Sequence, residues 1–372
     1  MKKRYAKLLT LLIAAVLCFG LVGCGPQAGS GDGKIKIGVS MPTKSLQRWN
    51  QDGDFLKAEF EKAGFEVDLQ YGGDNVIDEQ IAQIENMITG GCKVLVIAAI
   101  DAESLSGVLA SAKEANIAVF AYDRLIVNTD AVTYYSTFDN VKVGRAQGLY
   151  IEEALKLKSE AGPFNIEIFT GDPGDTNAFY FYKGAMEVMQ PYIDSGKVVV
   201  LSGQTEQMQT ATKDWNAGNA QARMEDLIAS VGYGPTSGKK LHAVLCSNDS
   251  TAQGSINALT ASGWDATNIP VITGQDCDKP NVTFMMQGLQ AVSIFKDTRS
   301  LAAQTVKMVI QHLNGEKVDV NDTTTYNNGV KNVDSFLSDP VPCTKADIQK
   351  MLFDSGYYSW DDPDLAEAAK LK

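Results

Sequence analysis

The sequence predicts an α/β protein made of two doubly wound parallel-sheet lobes joined by a three-segment hinge. Three observations carry this. Strand-like and helix-like segments alternate as β-α-β-α-β-α-β between residues 35 and 121. Such alternation winds into a parallel sheet with helices on both faces. Val94-Leu95-Val96-Ile97 is an unbroken apolar run, as expected of a strand covered on both sides. The same alternation begins again at Asn165, and a chain of 372 residues has room for a second lobe.

In the first lobe, Ile35, Ile37 and Val39 alternate with small or polar neighbours and predict a strand. Asp52 to Ala63 reads as a helix closed by Gly64. Phe65 to Gln70 is a second strand. Asp78 opens a helix with Ile81, Ile84 and Ile88 on one face, and Gly90-Gly91 ends it. After the strand at 94–97 come a helix over 103–115 and a strand over 117–121. The second lobe reads as strands at 165–169, 198–201, 243–246 and 271–272, with helices over 177–189, 217–230 and 251–261. Residues 139–146 (DNVKVGRA) form one link between lobes. A strand at 291–295 returns to the first lobe through a helix over 300–313, and the polar stretch 315–335 crosses back. The first lobe is thus expected from 34–138 plus 296–322, and the second from 139–295 plus 323–372.

The residues before Lys34 stand apart. Lys2, Lys3, Arg4 and Lys7 precede an apolar stretch from Leu8 to Val22, too short to span a membrane and ending in small residues. This is the pattern of an export signal over residues 1–23. Leu21-Val22-Gly23-Cys24 resembles the lipobox of bacterial lipoproteins, which implies lipidation of Cys24. The acyl chains would anchor the chain to a membrane, each buried CH₂ contributing roughly 0.8 kcal/mol. Residues 24–33 are small and polar, a flexible tether. Losing four positive charges with the signal takes the net charge from −12 to −16. Such an acidic chain does not suit a nucleic-acid partner.

A search for catalytic chemistry returns little. The two histidines, His242 and His312, form no zinc-binding pair, and no GxSxG elbow is present. The phosphate-loop lookalike from Gly234 to Lys240 lacks the glycine spacing and the closing Ser or Thr. Of six cysteines, Cys92, Cys246, Cys277 and Cys343 lie in the folded part, without a CxxC pair, so metal and redox chemistry are not expected. No cofactor is implied.

In doubly wound sheets, ligands bind beyond the carboxyl ends of the strands. Arg48 and Trp49 follow the first strand; Asp123 and Arg124 follow the fourth. In the second lobe Asn177, Asp249 and Asp276 follow successive strands, and Lys296 sits where the chain changes lobes. Any one of these could cap a helix; their coincidence at successive strand ends predicts one shared cleft. Carboxylates and amides accept hydroxyl hydrogens, guanidinium groups donate in a fork, and flat indoles such as Trp49 and Trp215 match sugar ring faces. The set suits a polyhydroxylated ring.

Several segments resemble the sugar-binding branch of the type I periplasmic binding proteins, in particular the xylose-binding and multiple-sugar-binding proteins. They include MPTKSLQRW (41–49), QIENMITGGCKVLVIAAID (83–101), FAYDRLI (120–126), DTNAFYFYKGAM (175–186), SNDSTAQG (247–254), GQD (274–276) and FKDTRSLA (295–302). The resemblance implies sugar contacts at Arg48, Trp49, Asp123, Arg124, Asn177, Trp215, Asn219, Asp249, Asp276 and Lys296, with Lys44 at the rim. It also implies a monomer, not an enzyme, that captures a monosaccharide by cleft closure and hands it to an ABC permease and its ATPase. Sensing, with the ligand presented to a membrane receptor or sensor kinase, is the alternative.

Overall fold

The computed structural model describes residues 33–236 and 238–372. The export signal, Cys24 and almost all of the tether lie outside the described residues. No helix among those described is long and apolar enough to cross a membrane.

The first lobe is a six-stranded sheet in the order β11-β5-β4-β3-β1-β2. Its strands are β1 (Lys36–Met41), β2 (Glu66–Tyr71), β3 (Val94–Ile97), β4 (Ala118–Tyr122), β5 (Val132–Phe138) and β11 (Ser335–Ser338), every neighbouring pair being parallel. Helices α2 (Ile77–Thr89) and α3 (Ser106–Glu114) cover one face, burying Ile84, Met87 and Leu109 against Leu95, Ile97 and Val119. Helices α1 (Gln47–Lys62) and α9 (Thr298–Leu313) cover the other, where Leu56, Phe60, Leu301 and Val309 pack on Ile37, Val39 and Phe120.

The second lobe holds a parallel sheet in the order β7-β6-β8-β9, from β6 (Phe164–Phe169), β7 (Val198–Val199), β8 (Ala243–Cys246) and β9 (Val271–Ile272). Helices α4 (Asn140–Ala154) and α5 (Thr176–Asp194) lie on one face; α6 (Ala217–Leu227) and α7 (Asp249–Ala261) lie on the other. A bridge from Gln275 to Ile294 continues the layer into β10 (Ser293–Phe295), which pairs antiparallel with β12 (Val341–Cys343). The C-terminal residues pack on α8 (Lys279–Gln287) through Leu352, Phe353 and Leu365.

The chain passes between lobes three times. Phe138 leads through Asp139, which caps α4 by accepting from the Lys142 amide. Phe295 leads through Lys296 to Asp297, which caps α9. Ser338 leads to Val341. The third passage falls later than the sequence reading placed it. Residues 323–338 belong with the first lobe: β11 pairs with β5, and Tyr326 and Val333 are buried against Tyr135. The stretch is polar because its amides serve internal turns, as where Asn328 Nδ2 donates to the Thr129 carbonyl at 2.7 Å.

Further elements differ from expectation, among them α1, β5 and α4. α1 begins at Gln47, five residues before Asp52, and takes in Arg48 and Trp49. Gly53 inside it is needed for close packing, since a Cβ there would sit 2.3 Å from the Tyr71 hydroxyl. β5 was not foreseen, because its Thr, Tyr and Ser hydroxyls break the apolar alternation. α4 starts within the stretch read only as a link.

Candidate functional site

Between the lobes lies a gap with about 380 Å³ of space free of atoms, its mouth included. The first lobe supplies Leu46, Arg48 and Trp49 from the start of α1, and Asp123 and Arg124 from the end of β4. The second supplies Asp175, Asn177 and Phe181 around the start of α5, then Trp215, Asn248 and Ser250. Gln275, Asp276 and Asp278 follow β9, and Lys296 lies on the second passage.

The charged groups are interlocked. Arg48 Nε and Nη2 donate to Asp52 Oδ2 at 2.9 and 2.8 Å, and its Nη1 donates to Asp123 Oδ1 at 2.8 Å. The same Nη1 lies 3.8 Å from Asp276 Oδ1 on the opposite lobe. Lys296 Nζ is 3.0 Å from Asp276 Oδ1 and 3.9 Å from Asp123 Oδ1. Arg124 Nε lies 2.9 Å from Asp175 Oδ2, an ion pair in which the N–H does not point at the oxygen. Asn177 Nδ2 donates across the gap to the Asp123 carbonyl at 2.9 Å.

Burial sets the protonation of these groups. It would raise Asp123, but Arg48, Lys296 and Arg124 outweigh it and hold that carboxyl below the usual range. Burial drives Asp52 up to about 6 and Asp278 up to about 7, the latter helped by the charge of Asp276. Asp175 is also raised by burial, against the pull of Arg124.

Backbone strain gathers here. Asp123, Asp214, Trp215, Asp276 and Cys277 all adopt positive φ. Such conformations persist where surroundings over-determine them, commonly at ligand sites. The Asp123 carbonyl is gripped by the Tyr135 and Thr137 hydroxyls at 2.6 and 2.9 Å, so the hydroxyl-rich β5 exists to support this loop. The Trp215 indole lies over Gly171, where a Cβ would meet Cη2 at 1.9 Å, and its Nε1 donates to Asp175 Oδ2 at 3.1 Å.

Of the ten residues expected from sequence, eight line the gap: Arg48, Trp49, Asp123, Arg124, Asn177, Trp215, Asp276 and Lys296. Two do not. Asn219 is exposed on the first turn of α6, its Nδ2 donating to the Lys213 carbonyl. Asp249 is fully buried behind the 274–278 loop and accepts from Gln290 Nε2 (2.8 Å), the Ser293 hydroxyl (2.9 Å) and the Asp278 amide (2.9 Å). The helical phase of α7 turns Asp249 away and presents its neighbours Asn248 and Ser250 instead. Lys44 is exposed and lies over the Tyr71 ring, outside the gap. Trp49 differs in its partners: the guanidinium carbons of Arg48 and Arg124 lie over its ring at 4.4 and 4.9 Å. It therefore holds the two arginines as well as lining the gap. Leu46, Asp175, Phe181, Asn248, Ser250, Gln275 and Asp278 line the gap without having been expected from sequence, each within a few residues of an expected position.

Four buried polar atoms on lining residues have no hydrogen-bond partner among the described residues. They are the donors Trp49 Nε1 and Arg124 Nε and the acceptors Gln275 Oε1 and Asp278 Oδ1. Buried polar atoms are otherwise almost always paired. Among the described residues no cluster suits a metal ion, and Cys92, Cys246, Cys277 and Cys343 are buried free thiols.

Two sheet-based lobes, three passages and a polar gap at the strand ends define a binding protein of the type I periplasmic class. The chain belongs to the periplasmic binding protein domain family, whose sequence profile matches residues 37–317. It is 47% identical over 330 residues to the multiple sugar-binding periplasmic receptor ChvE of Rhizobium radiobacter, covering 88% of this chain and 92% of that one. It is 34% identical to the D-xylose-binding periplasmic protein of Escherichia coli (strain K12), covering 87% and 91%. A crystal structure of an ABC transporter solute binding protein from Clostridium phytofermentans with bound β-D-glucose aligns with a TM-score of 0.85 at 54% identity, covering 89% and 99%. These relatives are receptors and solute-binding proteins, so the chain is a binding protein and not an enzyme.

Proposed function

We propose that this chain is the extracytoplasmic sugar-capture subunit of an ABC importer, taking an aldopyranose of the glucose or xylose kind between its lobes. One observation carries the reading. Arg48, Asp123, Arg124, Asn177, Asp276 and Lys296 converge from both lobes on a gap that leaves two donors and two acceptors without a hydrogen bond among the described residues. A ring bearing vicinal hydroxyls donates and accepts at each position, so it satisfies such a set. Charge-assisted hydrogen bonds of this kind contribute about 1.5–3 kcal/mol each. The glucose held by the Clostridium phytofermentans protein supports the same sugar class here.

A sugar touching both lobes favours the arrangement in which they meet, and the three passages serve as the hinge. The lobes so arranged would dock, as a monomer, on a permease whose ATPase drives import. The sequence of residues 1–24 supports export and lipid attachment through Cys24.

Calorimetry against glucose, xylose, galactose, arabinose and ribose tests this. Binding of at least one aldose is expected, and heats indistinguishable from dilution for all five would overturn it. Asp123→Ala and Arg124→Ala should each weaken binding at least a hundredfold, about 3 kcal/mol, while circular dichroism remains that of the parent. Affinities within twofold of the parent would mean the sugar sits elsewhere.

A further inference from the structure

Asp278 is placed unusually. It occupies the position just before α8, where an aspartate ordinarily accepts from the first helical amides. Here its side chain makes no such bond. Its backbone amide is tied to Asp249 Oδ2 at 2.9 Å, which fixes the residue without using its carboxylate. That carboxylate lines the gap, and its Oδ1 is buried without a donor among the described residues. Gln275, three residues earlier, repeats the pattern: its Nε2 donates to the Ser247 carbonyl at 3.0 Å, leaving Oε1 free. The 275–278 loop therefore presents two unused acceptors to the gap.

Charges reach Asp278 from every side. Asp276 and the carboxyl of Asp249 disfavour its ionisation; Arg48 on α1 and Lys296 on the second passage favour it. Tyr358 from the C-terminal segment also faces it, and Lys279 beside it is engaged with Asp362 and Asp364 at 2.9 Å. Burial dominates this balance and leaves the carboxyl near neutrality, at about 7. A ligand that supplies the missing donor alters the balance.

We propose that Asp278 is a further sugar-contacting residue: its free carboxylate oxygen accepts a hydroxyl hydrogen from the bound sugar, and capture releases a proton. The sugar hydroxyl keeps its hydrogen while donating it, and the proton that leaves Asp278 goes to solvent. This rests on the sugar reading above and adds a residue and a proton linkage to it.

The test is calorimetry of the native protein with D-glucose and D-xylose at pH 6 and pH 8, in buffers of different ionisation enthalpy, repeated with Asp278→Asn. For the native protein, affinity should be about tenfold tighter at pH 8, with up to one proton released, because one unit of pKa is a factor of ten. Asp278→Asn should bind more weakly at pH 8 and lose the pH slope. Native affinity that is flat with pH and releases no proton overturns the proposal, whether or not the variant folds. A variant that keeps both slope and affinity overturns it too. Failure of the native protein to bind any aldose would instead remove the sugar reading, and this proposal with it.

Discussion

Arg48 reaches acids on both lobes, and its surroundings show how the site is held before a ligand arrives. Asp52, Asp123 and Asp276 raise its already high pKa despite complete burial. Asp52 in turn accepts from the Tyr122 hydroxyl. The acids Asp52 and Asp278 carry folded-state pKa values of about 6 and 7, above the ordinary 3.8. The fold thus favours their protonated forms. The stabilisation from protonation is complete below pH 4 and is lost as pH rises through these values. The ligand-free protein should therefore melt at a lower temperature at pH 8 than at pH 5. Asp278→Asn should flatten that fall, by an amount on the order of a few kcal/mol at about 1.4 per unit. A melting temperature that rises over this range, read by scanning calorimetry, would show that the acids ionise freely. Most of the eight expected residues that line the gap were legible because strand-end positions follow from the sheet alone. The choice between neighbours such as Asp249 and Ser250 was not, since one helical step of about 100° decides it.

At the scale of elements, α5 carries Asn177 and Phe181 into the gap, and its position depends on how closely it lies on α4. A Cβ at Gly144 would meet the Phe181 carbonyl oxygen at 1.8 Å, and one at Gly184 would meet the Val141 oxygen at 2.0 Å. The two helices touch backbone to backbone through these glycines. Gly184→Ala should force them apart, costing about 1–3 kcal/mol and moving Asn177 off Asp123. Chemical denaturation should show the lost stability, and sugar affinity should fall with it; a variant unchanged in both would mean the helices have slack. The parallel sheets were readable from apolar runs such as Val94–Ile97. β5 was not, because Tyr135, Ser136 and Thr137 are buried polar residues whose purpose appears only when Asp123 and Thr305 are placed beside them.

The whole molecule is held together across the gap at more places than the site. Gln47 Nε2 donates to the Tyr358 hydroxyl at 2.6 Å, and Gln47 Oε1 accepts from the Lys279 amide at 3.0 Å. Tyr358 passes its own hydrogen to the Cys277 carbonyl at 2.9 Å. A C-terminal side chain thus bonds the first lobe to the loop that carries Asp276. Tyr358→Phe removes the bonds of this hydroxyl to Gln47 and Cys277 and should weaken sugar binding about three- to tenfold, near 1 kcal/mol, without altering any lining residue. Equal affinity in titration calorimetry would show the contact to be incidental to closure. The late third passage was hidden from sequence because a polar stretch reads alike whether it wraps its own lobe or leaves it.

The order of passages leaves Lys36 on the first lobe and Lys372 on the second. A donor fluorophore fused ahead of β1 and an acceptor fused after Lys372 would ride on different bodies. Energy transfer between them would then follow the angle between lobes, making these two positions the attachment points of a reagentless reporter.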